Sequence, residues 1–212
     1  MRYARYICYP KQIKNFPKHD IAHICDHQYA HLYSSLNSKI KFVTVHDLIP
    51  FVFYKKTGKW PYLLKYSLSK LKYYNKVFAA SENTKNDILK FTDCPENKIK
   101  VIMRAVDTYF NDSKINENDV CIKYKLPINK KKILISGNIF YKNHQTSAKT
   151  LEKLIEQDKD IVFVKIGGKS DIDDFKYLKH KVYELHFLDR EDLPKIYKIC
   201  KLLFYPSIYE GF

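Results

Sequence analysis

Eight short apolar runs, each trailed by a polar segment whose apolar residues fall at helical spacing, constrain this chain more than any other feature. The runs are Ile21–Cys25, Phe42–His46, Val77–Ala80, Ile99–Met103, Ile133–Ser136, Ile161–Ile166, Leu185–Leu188 and Leu202–Tyr205. Their length and β-branched content predict buried strands. Between them, Ala30–Leu36, Pro61–Tyr74, Asn83–Phe91, His144–Gln157, Asp174–His180 and Asp192–Ile199 carry apolar residues three and four positions apart, which predicts crossover helices. Strands alternating with helices imply an α/β fold with parallel sheets. Neither a fixed short repeat nor a low-complexity tract interrupts the pattern, so solenoids and propellers are excluded.

The rhythm fails once, from Asp107 to Lys132, where Asn111, Asp112, Asn116, Asn118, Pro127 and a run of three lysines precede a fresh strand. A domain boundary is expected there. The division is residues 1–110, a linker at 111–130, and residues 131–212. A chain of 212 residues with 45% apolar side chains can fill one large core or two small ones.

The formal charge of +15 predicts attraction to anions: nucleic acid, an anionic bilayer or a phosphate-rich small molecule. Charge alone does not choose among them, and a lysine surplus spread over the surface by AT-rich codon usage needs no partner. The five cysteines are odd in number, far apart and without a C-x-x-C pair, which argues against a disulfide framework and for the reducing cytosol. Residues 1–20 hold charges and prolines where a signal peptide needs an apolar core. The expected location is the cytoplasm, with peripheral contact at the inner face of the membrane left open.

Two segments could carry chemistry. Ile133–Gly137 reads as a strand ending in glycine, and Asn138–Asn143 then leads into a helix beginning near His144. Glycine lets a ligand approach the backbone, the helix start offers free amides, and Lys142 adds a full charge, so the segment suits a phosphate. An ordinary strand–turn–helix connection would look the same. At the other end, Leu202–Ser207 runs into Ile208–Phe212 and sets Glu210 just beyond a strand's carboxyl end. Ligands of open α/β sheets bind at that edge, and a carboxylate there can accept two sugar hydroxyls.

Several stretches together resemble glycosyltransferase family 4. Phe42–Pro50 is similar to that family's HDL-x-P strand end, Ala80–Lys85 to its VSE-x-S-K helix start, and Lys98–Asp107 to K-I-x-V-I followed by G-V-D. Lys142–His144 resembles the donor loop's KN-x. Phe187–Leu188 with Leu193, Ile196, Tyr197 and Cys200 resembles F-x-G and L-x-x-L-Y-x-x-A. Pro206–Phe212 resembles PS-x-x-EGFG.

The resemblance implies a GT-B-like chain of two Rossmann-like parallel-sheet domains, both incomplete: an acceptor-side domain at 1–110 and a nucleotide-sugar-binding domain at 131–212. It implies a hexosyltransferase-type enzyme moving sugar, with retention of configuration, from a nucleotide-diphosphate-sugar to a glycan or lipid-linked acceptor. No cofactor or metal is expected beyond that donor substrate. Carried over by position, Gly137, Asn138, Lys142 and Asn143 would bind the diphosphate, Glu210 the transferred sugar, and His46 would face the reacting carbon across a cleft. The chain departs from the family pattern where Asn138 and Tyr141 stand near Lys142 in place of a second basic residue. It is also expected to be truncated at both ends, lacking the N-terminal glycine loop and the second glutamate, and therefore to transfer little sugar by itself.

Three other readings compete. His19, His23, His27 and His31 recur every four residues beside Cys25 and Asp26, a metal-site spacing if they share one helix, but the strand expected at Ile21–Cys25 breaks that register. Tyr62–Lys76 is a basic amphipathic stretch suited either to an anionic bilayer or to packing on the sheet. Nucleic-acid binding or a decayed, non-catalytic product is the alternative of a different class. Against specific nucleic-acid binding stand the scarcity of arginine and the lack of a helix-turn-helix, zinc-finger or RNA-recognition signature.

Overall fold

The computed structural model describes residues 3–58, 61–110, 115–168 and 173–212. The chain forms two units, residues 1–105 with 210–212, and residues 106–209.

In the first unit a helical segment at Ala4–Cys8 runs into α1 (Tyr9–Lys14) and then β1 (His19–Ile24). A 3₁₀ segment, His27–Ser35, crosses to β2 (Ser38–Val45). Helices α2 (Ile49–Val52), α3 (Tyr54–Thr57) and α4 (Tyr62–Leu68), with a 3₁₀ turn at Leu71–Tyr73, lead to β3 (Lys76–Ala79). Then α5 (Glu82–Phe91) leads to β4 (Ile99–Val101). The four strands pair in parallel in the order β1-β2-β3-β4. Alternation places Val43, Val45, Val77, Ala79 and Ile99 on one face, where Leu48, Phe51, Leu68, Leu71, Tyr74 and Ile88 complete a core. Pro61–Tyr74 is therefore not one helix: α4 stops at Leu68, and the Ser69 hydroxyl turns back to the Tyr66 carbonyl at 2.8 Å.

The second unit begins with α6 (Glu117–Lys123), inside the span expected as linker, of which 111–114 lie outside the described residues. Val120 and Cys121 of α6 are buried, so this stretch contributes to a core. After it come β5 (Lys131–Ser136), α7 (His144–Gln157), β6 (Ile161–Ile166), a 3₁₀ segment Asp173–Lys181, β7 (Val182–Leu185), α8 (Leu193–Ile199) and β8 (Leu202–Leu203). These strands are also parallel, in the order β7-β6-β5-β8. Both faces of the sheet are covered. Leu134, Val164 and Ile166 pack with Val120, Ile196 and Ile199 on one side. Ile133, Ile135 and Phe163 pack with Ala148, Leu151 and Leu178 on the other. Each fully buried side chain of this size contributes about 1.5–3 kcal/mol of transfer free energy.

Strand β7 lies three residues before the run Leu185–Leu188. Its ladder pairs Phe163 with Val182 and ends with Ile166 opposite Leu185, because β6 then turns away at Gly167 (φ +95°). Among the described residues no strand pairs beyond that point, and Phe187 stands 94% exposed.

Candidate functional site

The carboxyl ends of β5 and β6 in the second unit meet through glycines. Gly137 (φ +91°) donates its amide to the Ile166 carbonyl at 2.9 Å, and Gly167 follows directly after Ile166. A Cβ on Gly167 would stand 2.8 Å from the Gly137 nitrogen, so this crossing of two turns admits no side chain. A Cβ on Gly137 would stand 2.7 Å from Lys142 Cγ; the bare glycine lets the lysine stem lie across the strand end. Asn138 is exposed beside Gly168, itself at φ +94°.

A 3₁₀ turn at Phe140–Lys142 carries the lysine, and Asn143, in the left-handed region at φ +59°, reverses the chain into α7. The first residue of that helix, buried His144, donates Nε2–H to the Gly137 carbonyl at 3.0 Å. Glycine turn, lysine and helix start are thereby tied into one structure. The N-terminal end of a 14-residue helix, with its partial positive charge, stands beside a full charge on Lys142.

The segment after β8 closes on this turn. The Lys142 ammonium bonds the Tyr205 hydroxyl and lies 4.5 Å from the Tyr205 ring centroid and 5.4 Å from that of Tyr141. Asn143 Nδ2 donates to the Pro206 carbonyl at 3.1 Å, and the Ile208 amide to the Tyr141 carbonyl at 2.8 Å. Two motifs some sixty residues apart in sequence thus form one cluster.

Beneath Gly168 lies a second cation. The fully buried Lys165 donates to the Gly168 carbonyl at 2.5 Å, with Glu184 Oε1 4.0 Å away. Burial pulls its pKa below the usual lysine range, against the opposing pull of Glu184.

Glu210 and His46 belong to the first unit. The Glu210 carbonyl accepts from Asn83 Nδ2 at 2.6 Å, and the neighbouring Gly211 carbonyl from the hydroxyls of Ser81 and, at 2.6 Å, Thr84. Ser81 also caps α5, accepting from the Thr84 amide at 3.0 Å. A Cβ on Gly211 would stand 3.0 Å from the His46 carbonyl, so Gly211 sits tight against the end of β2. The His46 ring donates from Nε2 to the Cys25 carbonyl at 2.7 Å and accepts at Nδ1 from Arg104 at 2.8 Å. With both nitrogens engaged, the orientation of the ring is fixed. Behind it, buried His27 has its pKa lowered, first by desolvation, while Asp26 and Asp47 oppose the shift.

Among the described residues no group of three or more His, Cys, Asp or Glu is placed to hold a metal ion. The four evenly spaced histidines divide between β1 and the 3₁₀ segment: His23 bonds Thr44, and His31 bonds Ser67 and the Arg5 carbonyl. All five cysteines are free thiols.

Gly167, Gly168, Lys165, Tyr205 and Arg104 were not singled out from sequence. A glycine pair directly after the apolar run Ile161–Ile166 repeats the strand-then-glycine signal of Ile133–Gly137 and could have been found. Tyr205 and Arg104 reach their partners only through the fold.

Two parallel α/β units, one with a glycine–lysine turn at its sheet edge, define the class of protein. The family model for Glycosyltransferase Family 4 matches residues 1–110, more than half of the chain, and that for Glycosyl transferases group 1 matches residues 119–212. The chain belongs to glycosyltransferase family 4. An uncharacterised glycosyltransferase of Methanocaldococcus jannaschii is 26% identical over 145 residues, covering 64% of this chain and 37% of its own. HepE of Anabaena, solved with UDP and glucose, superposes with a TM-score of 0.74 at 12% identity, over 97% of this chain and 57% of that one. A Rickettsia africae glycosyltransferase gives 0.65 at 24% identity, over 98% and 56%. The fold is that of GT-B glycosyltransferases, and the chain spans between about a third and three fifths of the length of these relatives.

Proposed function

We propose that the chain is the donor-binding and acceptor-side portion of a hexosyltransferase that moves sugar from a nucleotide-diphosphate-sugar to a glycan or lipid-linked acceptor, with retained configuration. It would work in the cytoplasm, with peripheral contact at the anionic inner face of a membrane. The observation that carries the reading is the cluster of Gly137, Lys142, Asn143 and the start of α7, held in place by Tyr205 and Pro206. As the bond to the sugar breaks, negative charge grows on the departing diphosphate, and preorganised amides with an ammonium stabilise that charge without reorganising. HepE, of the same fold, was solved with UDP-glucose, which supports the ligand class. In this reading Asn138 flanks the diphosphate, Glu210 holds the sugar hydroxyls, and His46 orients groups near the reacting carbon.

The test is nucleotide binding by titration calorimetry with UDP and GDP. Lys142→Ala is expected to weaken binding about tenfold or more, since a hydrogen bond to a charged group contributes about 1.5–3 kcal/mol. Lys142→Arg is expected to retain part of it. Binding that ignores Lys142→Ala would remove the diphosphate from this turn.

A further inference from the structure

Strand β6 lies inside the second sheet, between β5 and β7, and reads Ile161, Val162, Phe163, Val164, Lys165, Ile166. A parallel strand covered on both faces calls for apolar side chains throughout. The exception is the fully buried Lys165. Alternation puts it on the face of Ile161 and Phe163, the one that α7 covers with Ala148 and Leu151. A leucine would fill that place without the desolvation of a charge, so packing gives no reason for an amine there.

Another buried lysine shows what a purely structural one looks like. Lys132, near the start of β5, is enclosed by acceptors: Glu117 Oε1 at 3.0 Å and the carbonyls of Ile128 and Lys130, both at 3.2 Å. Lys165 stands near the carboxyl end of the neighbouring strand. Its ammonium donates to the Gly168 carbonyl, while Glu184, at 4.0 Å, is beyond hydrogen-bond reach. The charge is only partly compensated, and it lies beneath the glycine turns of the candidate site. On the other side of Gly168 stands Asn138, whose amide nitrogen would be 3.4 Å from a Cβ placed there. Positions 138 and 141, close to Lys142, are Asn and Tyr and add no charge.

We infer that Lys165 is a positioning residue of the donor site, supplying a second positive charge for the diphosphate from inside the sheet. The inference rests on the donor reading above and adds a residue to it. By drawing the Gly168 carbonyl toward the core, Lys165 turns the negative end of that group away from the phosphates. A charge in low-dielectric surroundings is weakly screened, so it acts across the turn without touching the ligand. The diphosphate in turn offsets the buried charge that Glu184 leaves partly unmatched.

The experiment measures binding to the full chain of UDP and GDP by calorimetry, and of uridine and guanosine by ligand-observed NMR, at pH 6 to keep the amine protonated. Lys165→Met, similar in length but uncharged, is expected to weaken diphosphate binding about tenfold and to leave the matching nucleoside unchanged. A lysine that only holds the fold would lower both alike. Adding Asn138→Arg to Lys165→Met sets a cation on the other side of Gly168 and should recover most of the loss. Should thermal melts show that Lys165→Met does not fold, Glu184→Gln carries the test. Removing that carboxylate leaves the ammonium unopposed and should tighten diphosphate binding severalfold, again with the nucleoside unchanged. Equal losses for diphosphate and nucleoside, no loss at all, or no recovery with Asn138→Arg overturns the inference. So does Glu184→Gln that binds the diphosphate no better than the parent. A parent that binds neither UDP nor GDP refutes the donor reading and this inference with it, whereas parental binding indifferent to Lys165 removes the inference alone.

Discussion

Gly167→Ala is expected to destabilise the second unit by about 3 kcal/mol and to abolish nucleotide binding, whereas Gly168→Ala costs about 1–2 kcal/mol. Both glycines have nearly the same φ, +95° and +94°, so the backbone strain of an alanine is alike at the two positions. The difference lies in what the new methyl meets. At 167 it would stand 2.8 Å from the Gly137 nitrogen and 3.0 Å from its Cα, atoms held by the pairing of β5 with β6. At 168 its nearest neighbour is the Asn138 amide nitrogen at 3.4 Å, the end of an exposed side chain that can move. Relief at 167 therefore has to push the Gly137 turn outward and carry Lys142 and His144 with it. Urea unfolding and calorimetry on the two variants give the comparison. Equal losses at both positions would mean that the crossing of the two turns does not organise the site.

The strands were legible because burial of the second sheet on both faces leaves continuous runs, as in Ile133–Ser136 and Ile161–Ile166, that few other structures tolerate. Strand β7 was misplaced by three residues because Leu185–Leu188 is the more apolar stretch, yet strand position is set by the partner's length and β6 ends at Ile166. The expected crossover helices at Ala30–Leu36 and Asp174–His180 became 3₁₀ segments, a distinction that apolar spacing does not resolve. For the candidate site, sequence pointed to Gly137, Lys142 and Asn143 because a strand, a glycine and a lysine are adjacent there. Nothing local says that Tyr205 will meet Lys142 sixty-three residues away, or that Arg104 will occupy Nδ1 of His46.

Asp192→Asn is expected to lower the unfolding free energy by about 2 kcal/mol near neutral pH, and this difference should vanish in strong acid. The Asp192 side chain is 6% exposed and accepts from Lys123 at 2.5 Å, Lys195 at 2.6 Å and the Tyr124 hydroxyl at 2.6 Å. These bonds clasp α6 to the start of α8, two elements that both bury apolar side chains in the same core. Asparagine keeps the volume but offers one acceptor oxygen without charge, leaving donors around a desolvated position unmatched. The hydrogen bonds from Lys123, then Lys195 and Tyr124, hold the Asp192 carboxyl well below the ordinary carboxylate range. Its folded pKa thus lies below its unfolded value of about 3.9, so the stabilisation is complete above that value and is lost as pH falls toward the folded one. Unfolding curves of parent and variant should run apart and parallel from neutrality down to about pH 4, then converge. A constant gap persisting through strong acid would mean that the clasp acts by shape and not by charge.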